Sequence, residues 1–178
     1  GKVADKAAEV VDKAADKVAD VADKAVAAAE KATEKVAEAV AGGTKPVWEI
    51  SGLAGPESAL VVPGAGIMYV SNVDGEALGK DGKGWIAKVA LEGKTVNKDF
   101  ATGLNAPMGM AIVGDKMFVA DIDEFVEINL ADGKIVAKHP AAGAKRLNDA
   151  AADSKGNVYA TDTLTNSVYR LSGGKVDV

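Results

Sequence analysis

The chain has 178 residues, a formal charge of −5 and no cysteine, so disulfides and thiolate metal sites are excluded. The acidic balance argues against a general nucleic-acid partner, which needs a basic face to displace counterions from phosphate. No run of about 18 apolar residues occurs, so no transmembrane span is expected, and nothing after the Gly1-Lys2 start resembles the apolar region of a signal peptide.

The first element is a long helix. Between Lys2 and Ala41 there is no Gly, Pro or aromatic residue, and Ala, Lys and Glu favour helix. Apolar positions recur as Val3, Ala7, Val10, then Ala14, Val18, Val21, then Ala25, Ala29, Ala32, each set eleven residues after the last. An eleven-residue period is about 3.67 residues per turn, which keeps a stripe nearly straight. Glu9 with Lys13 and Asp20 with Lys24 stand four apart in the favourable order. Gly42-Gly43 and Pro46 end the element, so residues 1–43 form an Ala-rich amphipathic helix and residues 44–178 a second domain. The stripe holds only Val and Ala, which bury little area each but allow close approach. A homo-oligomer joined through this helix is the expectation; a helix packed on its own domain and a partly disordered spacer are the alternatives.

After Pro46 short β-prone runs alternate with Gly, Asn and Asp. Three segments align: Ile67–Asn72, Lys116–Asp121 and Asn157–Asp162. A second strand follows each, at Ile86–Val89, Val126–Asn129 and Val168–Leu171, and runs into a Gly-Lys turn at Gly93, Gly133 and Gly174. Those glycines are 40 and 41 residues apart, the period of four-stranded propeller blades. The fold class is therefore mainly β, a partial β-propeller of about three four-stranded blades preceded by the helix. Extra residues around Gly75–Gly84 belong in a loop of the first blade. Three blades are fewer than the roughly four to eight that close a ring. A polypeptide continuing past Val178 is the expectation, and assembly with another chain the alternative.

The segments Pro56-Glu57-Ser58, Leu104-Asn105-Ala106-Pro107-Met108-Gly109-Met110, Val119-Ala120-Asp121, Leu147-Asn148-Asp149 and Gly156–Asp162 carry a resemblance, over residues 47–178, to the SMP-30/gluconolactonase/LRE-like six-bladed propellers. The resemblance implies a divalent cation, Ca²⁺ or Mg²⁺, in the central channel, with Glu57 and Asn148 as metal ligands and Asn148 and Asp149 as substrate-binding residues. Such oxygen donors suit a hard cation. It also implies a sugar lactone as substrate, its carbonyl polarised by the metal without a nucleophilic Ser or Cys. The family's Pro-Asn-Gly motif stands here as Pro107-Met108-Gly109, and its late-blade Asp has no counterpart. Catalytic residues are not assigned. Glu57 has a second reading, as a carboxylate bonding backbone amides, and Asn148-Asp149 as a turn.

Other candidates carry less. His139, the single histidine, precedes Pro140 in an Ala/Gly/Pro segment and reads as a solvent-exposed loop residue. No Gly-x-Ser-x-Gly elbow is present. Asp121-Ile122-Asp123-Glu124 lacks the spacing of an EF-hand and reads as an acidic inter-strand loop. Trp48 and Trp85 are expected to pack between sheets. Two functions follow: a metal-dependent lactonase when the ring is complete, or a non-catalytic binding and assembly module joined by the helix. The expected compartment is periplasmic or extracellular, with the cytoplasm the alternative.

Overall fold

The computed structural model describes Lys24 and residues 46–178. The helix expected over 1–43 and its eleven-residue stripe lie outside the described residues, save Lys24, which is helical and exposed. The chain divides between Val47 and Trp48, and the second unit carries the strands.

These are twelve strands in three antiparallel sheets, each a four-strand meander in chain order. The first sheet is β1 (Pro56–Val62), β2 (Ile67–Asn72), β3 (Gly84–Ala90) and β4 (Lys94–Leu104). The second is β5 (Pro107–Val113), β6 (Lys116–Asp121), β7 (Glu124–Asn129) and β8 (Ile135–Pro140). The third is β9 (Leu147–Ala152), β10 (Val158–Asp162), β11 (Ser167–Ser172) and β12 (Lys175–Asp177). The segments aligned in the sequence are thus β2, β6 and β10, and the runs after them β3, β7 and β11. The extra residues of the first repeat are the β2–β3 connection, residues 73–83, against only residues 122–123 between β6 and β7.

Both faces of the middle sheet are buried, so its strands are apolar on both sides. Toward the first sheet it presents Met110, Met117, Val119, Val126 and Ile128, which meet Tyr69, Ile86 and Leu104. Toward the third it presents Met108, Ala111, Ala120 and Phe125, which meet Leu147, Val158, Ala160 and Tyr169. Each fully buried large side chain contributes about 1.5–3 kcal/mol. The period-2 alternation of the strands delivers these two sets to opposite faces, except that a register irregularity between Pro107 and Met110 puts Met108 on the face opposite Met110. The sheets stack most closely through their first strands, β1 on β5 and β5 on β9, as blades do around a channel.

The segment before β1 is equally ordered by packing. Ile50, Leu53 and Ala54 lie over Val70, Trp85, Ala87 and Val89 on the outer face of the first sheet. Trp48 sits where a Cβ on Gly93 would be, 2.5 Å from its ring carbon. Trp85 is therefore buried, but beneath the segment of Ile50, Leu53 and Ala54 rather than between two sheets, and Trp48 is a partly exposed cover over a turn glycine.

His139 does not lie in an exposed loop. It is in β8, paired with Phe125, with its side chain 14% exposed and its Nε2 2.9 Å from Glu127 Oε2. Pro140 does not break the strand, because an edge position needs no ladder N–H. Burial raises the Glu127 carboxyl, but hydrogen bonds from Lys116 and His139 overcome it and hold the group below its ordinary value.

Candidate functional site

Every sheet begins with the same device. Position six of the aligned segments is Asn72, Asp121 or Asp162, the last residue of β2, β6 or β10. All three are buried, and each pairs with the first residue of the neighbouring inner strand: Pro56, Pro107 or Leu147. Their side chains hold the chain as it enters the blade. Asn72 Oδ1 accepts the Ala54 N–H at 3.0 Å, and its amide donates to the Val70 carbonyl. Asp121 accepts from Asn105 N at 2.9 Å and Ala106 N at 2.8 Å. Asp162 accepts four backbone N–H groups, from Lys145, Arg146, Leu164 and Thr165.

The electrostatic consequences differ with the donor count. Burial dominates at Asp121 and raises its carboxyl despite the two amides. At Asp162 burial also pushes upward, but the four amides prevail and hold it at about 2. Asn72 shows that an amide suffices where one N–H is taken. Asp121→Asn is expected to cost about 1–3 kcal/mol, measured by urea unfolding, because a single amide oxygen cannot serve both Asn105 and Ala106.

These anchors set the register of the inner strands, so Glu57, Met108 and Asn148 occupy one equivalent position in β1, β5 and β9. Met108 is buried in the seam between the second and third sheets, which removes its thioether from any ligand set. Glu57 stays exposed at the surface. Its carboxyl is raised first by burial and then by the negative charge of Asp149, with Arg146 opposing. The first and third blades thus bring Glu57, Asp149 and Arg146 into electrostatic reach of one another. Asn148 is half-buried beside them. Asp149 is exposed; its backbone N–H donates to Thr161 Oγ1 at 3.2 Å, and its Oδ1 accepts from Ala150 N at 2.9 Å.

Arg146 belongs to this group and was not singled out in the sequence. Its Nε is buried without a hydrogen-bond partner, as is Thr165 Oγ1, and such orphans mark places where a ligand or water completes the bonding. The signal available was position: Arg146 directly precedes Leu147-Asn148-Asp149. Asp121 does not stand free in an acidic loop, since its carboxylate is consumed by the blade-entry amides. Among the described residues no three His, Cys, Asp or Glu side chains are grouped to hold a metal, and no helix is long and apolar enough to cross a membrane.

No family model and no curated protein sequence matches this chain. Solved structures do. A nidogen/laminin complex matches with a TM-score of 0.57 at 20% identity, over 72% of this chain and 48% of that one. Hydrazine synthase of Kuenenia stuttgartiensis matches with a TM-score of 0.55 at 15% identity, over 74% of this chain and 36% of that one. The chain is thus β-propeller-like, built of blade-type four-stranded sheets, and spans less than half the length of either structure.

Proposed function

We propose that the end of the inner strands is a binding site for a small polar ligand held with a divalent cation, and that the fold serves a sugar-lactone hydrolase of the SMP-30/gluconolactonase type when its ring is complete. The observation that carries the binding site is placement: register sets Glu57 of β1 and Asn148 of β9 at one equivalent position, next to Arg146, whose Nε is buried without a hydrogen-bond partner. A hard cation beside Glu57 would offset the repulsion it feels from Asp149, and the half-buried amide of Asn148 adds a neutral oxygen. The lactone as substrate rests on the motif resemblance. Ca²⁺ takes roughly six to eight oxygens, and one chain offers Glu57, Asn148 and Asp149, so a single copy does not fit a full shell.

Calorimetric titration with Ca²⁺ at pH 7 tests the site. The wild type is expected to give heat and Glu57→Gln none; absence of heat from both proteins removes the cation. Because the Glu57 carboxyl is raised, protons compete early. Affinity should already fall as pH drops toward the group's shifted value, above the ordinary 4.5.

A further inference from the structure

The three inner strands share one irregularity. Pro56 pairs with Asn72 and Ala59 with Val70, so Glu57 and Ser58 together face the single residue Ser71. Met108 and Gly109 likewise face Ala120 in the second blade, and Asn148 and Asp149 face Thr161 in the third. Two residues against one make a β-bulge, which re-aims a side chain while giving up a ladder bond. In every blade the first bulge residue is the one at the shared site position: Glu57, Met108 or Asn148.

The blades differ in how the second bulge residue is held. The Ser58 N–H donates to Ser71 Oγ at 3.0 Å, and the same hydroxyl stands 3.5 Å from the Ser58 carbonyl oxygen. The Asp149 N–H donates to Thr161 Oγ1 at 3.2 Å. Ser71, Ala120 and Thr161 are position five of the three aligned segments, one residue before the blade-entry anchors. The second blade therefore has a methyl group where the other two have a hydroxyl.

This split follows the chemistry of the first bulge residue. Met108 is fixed by its own burial in the seam between the second and third sheets, and it needs no polar hold. Glu57 is exposed and Asn148 half-buried, so packing alone does not direct them; the backbone that carries them has to. A hydrogen bond from the next residue's amide to a side chain of the neighbouring strand fixes that backbone. Side chains held in advance by such supporting bonds lose less freedom when they bind.

We infer that Ser71 and Thr161 are positioning residues: their hydroxyls hold the two bulges that carry Glu57 and Asn148 and so fix where these oxygen donors stand. The cation as the bound species rests on the function proposed above, whereas the hold on the bulges does not. Ser71 is fully buried, so its bond is shielded from competing water and the first blade depends on it more than the third depends on Thr161.

Ser71→Ala and Thr161→Val remove the hydroxyls, and Thr161→Ser keeps one. Amide hydrogen exchange read by NMR should speed about fivefold at Ser58 in the first variant and at Asp149 in the second. Backbone residual dipolar couplings should shift at Glu57 in the first and at Asn148 in the second. Calorimetric calcium affinity should fall roughly tenfold in both and stay at the wild-type level in Thr161→Ser. Thr161 is exposed, so its variants fold, which circular dichroism checks. Unchanged exchange and couplings overturn the hold. Shifted couplings with wild-type calcium affinity overturn the positioning role, as does a loss of affinity that Thr161→Ser shares with Thr161→Val. A wild type without calcium heat removes the cation but not the hold, which exchange and couplings decide without any ligand.

Discussion

Asp162→Asn is expected to destabilise the blades by about 2–4 kcal/mol, although it changes one atom. The carboxylate accepts four backbone N–H groups through two oxygens: Lys145 and Arg146 on one, Leu164 and Thr165 on the other. An amide has a single oxygen, so two donors would face an NH₂ group. A fully buried donor left unsatisfied costs roughly 1–3 kcal/mol, and these part-buried ones cost toward the lower end of that range. Asp121 takes two backbone amides and the Asn105 side-chain amide, so the same substitution there orphans fewer backbone donors. The pair therefore separates donor count from burial, which is near complete at both sites. The pH dependence has a definite sign. The carboxyl is depressed from 3.8 to about 2 in the folded state, so its contribution is present above the unfolded value and is lost as pH falls through the folded one. Urea midpoints of wild type and Asp162→Asn should therefore differ most above about pH 4 and converge toward pH 2. A gap that is constant over this range would show that charge is not what the four amides recognise.

Gly109→Ala is expected to cost about 3 kcal/mol or more. A Cβ there would stand 2.4 Å from Ala150 N and 2.7 Å from Asp149 Cα, and both are backbone, with no flexible end to turn aside. Relief requires β9 to move away from β5, which opens the seam holding Met108, Leu147 and Ala160 and displaces Asn148-Asp149 from Glu57. Thermal unfolding should register the first effect and calcium affinity the second. A variant with lowered melting temperature and unchanged affinity would show that the site does not depend on blade spacing.

The architecture was legible because each blade repeats its chemistry. The columns Tyr69/Phe118/Tyr159 and Asn72/Asp121/Asp162 mark one strand three times, and the Gly-Lys turns fix its neighbour. The anchors were present in that second column but unread as such, since a carboxylate at a strand end is equally a loop residue until its amide partners are known. His139 misled for a related reason. Ala, Gly and Pro around it look like a loop, and only the partnership with Glu127, twelve residues away, reveals a strand. Glu57, Asn148 and Asp149 came from motif order, whereas their link to Arg146 depends on how the first and third sheets stack. No spacing along the chain encodes that.

The strict meander has a kinetic consequence. Every ladder joins consecutive strands, and the blade-entry anchors span only 15 to 18 residues. Little loop entropy is spent before a contact is gained. Each blade can thus nucleate by itself and recruit its neighbour, as in a one-dimensional array. Refolding should begin with fast phases that do not depend on protein concentration.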